Sequence, residues 1–175
     1  MRELADAERI HRFMRALGAA ADADGAAYLT GGTTAVLLGW RASTVDVDLA
    51  FAPETDALLR AVSRLKHELQ VNVELVSPAD FVPVAAGWED RSLFAAREGR
   101  LSFYHYDPYS QALAKLERAH AQDLADVRAM VEHGLVEPER ALRYFEEIEP
   151  ALYRYPAVDG PSFRRRVEEA FGERA

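Results

Sequence analysis

Apolar and polar residues alternate most cleanly from Val45 to Phe51, where Val45, Val47, Leu49 and Phe51 interleave with Asp46, Asp48 and Ala50. A period of two puts the apolar set on one face of a β-strand and both aspartates on the other. Upstream, Leu4, Ile10, Phe13, Met14 and Leu17 recur at helical spacing, and Gly18 reads as a stop, which predicts an opening amphipathic helix. Ala26–Thr30 reads as a short strand running into Gly31-Gly32, and Thr33–Leu38 as a helix whose first turn follows the glycines. Pro53 ends the alternating strand and opens a helix to about Leu69, with Leu58, Leu59, Val62, Leu65 and Leu69 facing inward. Val71–Val76 predicts another strand, stopped by Ser77-Pro78. The stretch 81–99 shows no clear period, and Leu101–Tyr106 reads as the strand that closes the sheet.

The back half is helical in pattern. Asp107-Pro108 starts one long helix to about Glu132, with Gly134 as its stop. On a helical projection Leu113, Leu116, His120, Leu124, Val127 and Val131 share a face, which makes His120 a core histidine. Lys115, Arg118, Gln122 and Asp126 gather on the opposite side, where a solvated face laced with i,i+3 and i,i+4 pairs accounts for them. Pro138 opens a helix to about Glu149, and Phe163, Val167 and Phe171 mark a final one. The fold class is therefore α+β. A mixed β-sheet flanked by helices is expected over residues 1–106, and a helical C-terminal part over 107–175, packed on it as one compact unit.

Composition narrows the chemistry. Among 175 residues there is no cysteine, which excludes disulfides, zinc–thiolate sites, iron–sulfur clusters and cysteine nucleophiles. The net charge of −8 argues against a broad nucleic-acid-binding surface, which needs a basic footprint. It does not argue against a nucleotide, because a bound divalent cation reverses the local sign of a site. Residues 1–20 carry Glu3, Asp6 and Glu8 without a continuous apolar run, so no targeting signal is read there. The apolar stretch Ala35–Trp40 is far too short to span a membrane, and a cytoplasmic protein is expected.

Candidate chemistry concentrates in Thr30–Phe51. Asp46 and Asp48 share one strand face, and carboxylates converging on one point require shared protons or a cation. Mg²⁺, which takes oxygen ligands and keeps several waters, suits such a pair. An edge strand with a solvated acidic face accounts for the alternation equally well. Gly31-Gly32, between a strand and a helix, lets backbone N–H groups approach an anion. Arg41 precedes the acids and suits a phosphate contact, although a surface arginine in a loop is as good a reading. Most other conspicuous residues have bland explanations. The aromatic run Phe103-Tyr104-His105-Tyr106 fits a sheet edge meeting a helix, and Arg164-Arg165-Arg166 is balanced by Glu168 and Glu169.

The order Gly-Gly, then Arg-x-Ser-Thr-x-Asp-x-Asp, resembles the signature of the nucleotidyltransferase superfamily with its polymerase-β-like fold. More narrowly, Lys115, Arg118, Asp123 and Asp126 stand in the order found in the branch of AbiEii-type toxins and related domains of unknown function. The resemblance runs from about Tyr28 to Val131. It implies that Gly31, Gly32 and Thr33, with Arg41, Thr44 and Arg118, bind the nucleotide, and that Asp46 and Asp48 coordinate Mg²⁺ (or Mn²⁺). It further implies that Lys115 faces the nucleotide, that Asp123 is a catalytic or organising acid, and that a third carboxylate comes from a following strand. Glu74 is the candidate for that third ligand. The partners implied are an NTP, an acceptor hydroxyl on tRNA, a protein or a small molecule, and an antitoxin protein. The competing reading is an inactive module of the same fold that binds a nucleotide or a protein.

Overall fold

A computed structural model describes residues 3–172; the first two residues of the N-terminal reading, and residues 173–175, lie outside the described ones. The fold class is α+β, with a mixed sheet and helices in one part and a helical C-terminal part. Two compact units emerge, one of residues 3–77 with 92–106 and one of residues 78–91 with 107–172. No helix among the described residues is long and apolar enough to cross a membrane.

The first unit contains α1 (Ala7–Ala20), β1 (Gly25–Thr30), α2 (Gly32–Leu38), β2 (Asp46–Ala52), α3 (Asp56–Glu68), β3 (Asn72–Leu75), β4 (Leu93–Glu98) and β5 (Leu101–His105). The sheet order is β3-β2-β1-β5-β4. Strand β1 runs antiparallel to β2 and parallel to β5, β2 runs parallel to β3, and β4 runs antiparallel to β5. Val47, Leu49 and Phe51 point to one side of β2 and are buried with Ala27, Leu29, Val73, Leu101 and Phe103 beneath α1 and α3. The alternation expected for β2 thus holds, except that Val45 lies just before the strand and is exposed.

Four local expectations are corrected. Gly18 does not stop α1, which continues to Ala20; a Cβ at Gly18 would sit 2.1 Å from the carbonyl oxygen of Glu98, so the glycine lets the helix touch the β4–β5 turn. Leu4 lies outside α1 and is exposed. Helix α3 begins at Asp56 rather than at Pro53, because the Thr55 hydroxyl accepts from the Leu58 N–H and caps it. Strand β5 lies inside the sheet, with β4 outermost beside it.

The second unit contains a short 3₁₀ turn (Pro78–Asp80), α4 (Trp88–Arg91), α5 (Pro108–Arg118), α6 (Ala121–Glu132), α7 (Pro138–Ile148), a second 3₁₀ turn (Glu149–Arg154) and α8 (Gly160–Phe171). The single long helix expected from Pro108 to Glu132 is instead two. Ala119 adopts a left-handed conformation with φ of 57°, its N–H bonds back to the Lys115 carbonyl, and the chain restarts at α6. His120 is therefore an exposed cap rather than a core histidine, and its N–H donates to Asp123. Helices α7 and α8 meet through Phe145 and Phe163, whose rings lie edge to face at 5.0 Å.

Candidate functional site

Register decides which acids meet. Asp46 and Asp48 stand two apart on β2 and share the sheet face opposite the core. The parallel pairing of β2 with β3 sets Asp48 opposite Glu74 and Asp46 opposite Asn72, which brings Glu74 to the same face. One carboxylate oxygen from each of Asp46, Asp48 and Glu74 lies within 4.8 Å of the others. Asp46 and Asp48 are half-buried and Glu74 is exposed. Like charges at such a range repel by roughly 3 kcal/mol per pair at an effective dielectric of about 20, and by less where Glu74 faces water. Three convergent oxygen donors, with no sulfur or imidazole among them, fit a hard divalent cation. The structure thus brings together the three residues expected to form a metal site.

The diglycine lies directly against this strand. Gly31 holds φ at 63°, and a Cβ there would stand 2.6 Å from Oδ2 of Asp48, an oxygen whose partner Oδ1 is itself buried. A Cβ at Gly32 would stand 2.2 Å from Oγ1 of Thr44 and 3.0 Å from a guanidinium nitrogen of Arg41. Both glycines are therefore required by close approach, and Gly31 also by its backbone conformation. Thr33 is fully buried and its hydroxyl accepts from the Asp48 N–H at 3.1 Å. Thr44 is buried too, and its hydroxyl donates to the Asp46 carbonyl at 3.1 Å. Both threonines brace the backbone of the acid-bearing strand from either side.

Thr34 of α2 and His105 of β5 are both buried, with Oγ1 of Thr34 at 3.0 Å from Nδ1 of His105. Burial lowers the pKa of His105 to about 4, so the imidazole is neutral at physiological pH. Nothing in the sequence pattern distinguished this pair.

Lys115, Arg118, Asp123 and Asp126 belong to the second unit, where the fold of α6 against α5 gathers them. Lys115 Nζ donates to Asp126 at 2.8 Å and stands 3.8 Å from Asp123. Arg118 makes two bonds to Asp123, at 2.8 and 2.6 Å, and Gln122 donates to Asp126 at 3.2 Å. Burial pushes the pKa of Asp123 up, but the bonds and charge of Arg118, with Lys115 and the His120 N–H, outweigh it and hold it below the usual value. Lys115, Asp123 and Asp126 are buried while Arg118 and Gln122 are exposed, so the polar side of these helices is only in part the solvated face that periodicity suggested. Asp126 is the closer partner of Lys115. The break at Ala119 is what turns the two residues toward each other, and the acid three residues after His120 was its one sequence signal.

Asp107 is a further buried acid that pattern reading treated only as a helix start. It caps α5 through the Tyr109 N–H and the Ser110 hydroxyl, and it receives Arg91 Nε and Nη2 at 3.1 and 2.9 Å.

A family model described as a nucleotidyltransferase of unknown function (DUF6036) matches residues 8–147. No curated protein and no solved structure matches the chain.

Proposed function

We propose that this chain, which belongs to that nucleotidyltransferase family of unknown function, transfers a nucleotide from an NTP to an acceptor hydroxyl, with Asp46, Asp48 and Glu74 as ligands of Mg²⁺. The observation that carries the reading is the convergence of these three carboxylates within 4.8 Å on one sheet face. Mn²⁺ suits the same oxygen donors. A divalent cation there would neutralise the phosphates and polarise the reacting oxygens.

The chain's own residues have distinct tasks in this proposal. The backbone of Gly31 and Gly32, which lies against Asp48 and Thr44, receives the triphosphate. Arg41, beside Gly32, offsets phosphate charge. Thr33 and Thr44 keep Asp48 and Asp46 in place through their backbone bonds. The acceptor oxygen attacks the α-phosphorus, the bond to the β-phosphate oxygen breaks, and pyrophosphate leaves. The acceptor's proton passes to a carboxylate, and Glu74, the most exposed of the three, is the candidate. Positioning and electrostatics then supply most of the rate.

Lys115, Arg118 and Asp123 carry a separate part of the proposal: that they also serve the nucleotide and its transfer. Substitution of Lys115 by Met in the same assay tests it. The order Lys115, Arg118, Asp123, Asp126 supports a toxin of the AbiEii type acting beside an antitoxin protein. Growth arrest on induced expression, abolished by Asp48→Ala, would support that reading.

The decisive assay incubates the protein with each of the four α-labelled NTPs and pools of RNA, protein and small-molecule acceptors, with and without Mg²⁺. Labelling is expected only with the metal and only in the wild type, not in Asp48→Ala. No labelling from any nucleotide overturns the enzyme reading in favour of an inactive module that binds a nucleotide or a protein.

A further inference from the structure

The acid trio occupies only part of its sheet face. Two residues along β2 from Asp48, roughly 6.7 Å further on, the same face carries the small side chain of Ala50. Its partner across the antiparallel pair is Tyr28 of β1. Tyr28 stands opposite Tyr104 of β5, and Tyr104 stands opposite Phe94 of β4. One row of the sheet therefore reads Ala50, Tyr28, Tyr104, Phe94, directly beside the row that holds Asp48.

The rings form a continuous strip. Tyr28 and Tyr104 are stacked with centroids 5.4 Å apart and planes 21° apart. Phe94 meets Tyr104 edge-on at 5.8 Å and 77°. Tyr106 also meets Tyr28 edge-on, at 5.9 Å. Cross-strand packing accounts for the stacked pair. It does not account for Phe94, which is 64% exposed on the outermost strand beside a register shift between Phe94 and Ala96. A bulge of this kind re-aims side chains, and an aromatic ring left in water contributes little to folding. Planar rings of this sort are the surfaces on which nucleobases stack, whatever the base.

We propose that the strip of Tyr28, Tyr104 and Phe94, floored by Ala50, receives the base of the donor nucleotide whose phosphates lie at the acid trio. The assignment rests on the reading of that trio as an NTP site. It adds a subsite for the base, and its occupant follows from continuity: strip and carboxylates share a face, and the near end of the strip at Ala50 is one strand repeat from Asp48. Phe94 at its far end stands three strands from β2, roughly 14 Å across. Because stacking uses the π-face rather than a hydrogen-bond pattern, the subsite tolerates all four bases and favours the larger purines.

Isothermal titration of the full chain at fixed Mg²⁺ tests this, with ATP, GTP, CTP, UTP and inorganic tripolyphosphate as probes. The nucleotides are expected to bind about 5- to 150-fold more tightly than tripolyphosphate, purines at the upper end. Phe94→Ala and Tyr104→Leu should each remove most of that advantage and leave tripolyphosphate binding unchanged. The exposure of Phe94 keeps the first variant folded, so it decides the matter if the second is destabilised. Equal binding of nucleotides and tripolyphosphate, or a preference that survives both substitutions, overturns the strip while leaving the triphosphate site standing. Absence of binding by every probe overturns the NTP reading itself and the strip with it. A short single-stranded oligoribonucleotide that loses affinity in both variants, while the nucleotides do not, assigns the strip to the acceptor and overturns the donor-base proposal.

Discussion

In the helical unit, Asp107, Asp123 and Asp126 are at most 2% exposed. Each meets a guanidinium or ammonium group within 2.9 Å. On the sheet, Asp46, Asp48 and Glu74 instead gather around one another within 4.8 Å. The same residue type is thus used in two electrostatic settings. Where the chain supplies the cation, the acid is buried and the pair holds helices together. Where acids are brought together by strand register, like charges face one another, the arrangement that a bound divalent cation would offset. A buried acid is thus not by itself a mark of function, and the arrangement of its neighbours separates the two uses.

Removing a partner separates the two settings most sharply. Asp126→Ala leaves the Lys115 ammonium buried, and an uncompensated buried charge costs about 3–5 kcal/mol. Asp123, at 3.8 Å from Lys115, moderates the loss toward the lower end. Urea unfolding should show it directly. Asp48→Asn should leave metal-free stability unchanged or slightly higher, because it removes like-charge repulsion. Equal destabilisation by both substitutions would erase the distinction.

Acid sharpens it next. His105 has a folded pKa of about 4 against 6.5 when free, so the unfolded chain binds its proton first. Stability from this residue is complete above pH 6.5, falls as pH drops toward 4, and is flat below; the full loss is about 3 kcal/mol. Asp123 acts in a lower window. Its folded pKa lies below 3.8, so its contribution is present above that value and is lost as pH falls through the folded one. Unfolding free energies across pH should show both phases, and His105→Gln should remove only the upper one.

Metal addition gives a smaller effect, confined to the sheet. A ligand at 100 times its Kd stabilises the native state by about 2.7 kcal/mol. Mg²⁺ should therefore raise the Tm of the wild type and of Asp126→Asn but not that of Asp48→Asn. A rise in all three would place the cation elsewhere. Smallest is the cap on α3: Thr55→Ala should cost about 1 kcal/mol by denaturant titration and leave the Mg²⁺ response unchanged.

The sheet site was legible because its information is local. The period of two across Asp46–Phe51 fixed which face the aspartates occupy, and the diglycine lay close by in sequence. Glu74 was legible only as a residue type, since its facing depends on how β3 pairs with β2, and pairing is a long-range property. The helical unit defeated periodicity for a definite reason. A 100° projection continues smoothly through Ala119, and alanine favours helix, yet that residue adopts φ of 57° and reverses the chain. All that depends on the break was consequently misread, including His120 in the core and a solvated Lys115. Gly18 was misread the other way, as a boundary, when its missing side chain serves contact with Glu98.

Strand β3 has a consequence of its own. It is four residues long, lies outermost beside β2, and only Val73 of the strand is buried. Such a strand frays well before the rest of the sheet unfolds. Glu74 rides on it, while Asp46 and Asp48 ride on a strand paired on both sides. Glu74 is thus placed where it can leave and return without global unfolding, while Asp46 and Asp48 stay in place. On the proposed metal reading, cation affinity and the docking of β3 are then two sides of a single local equilibrium.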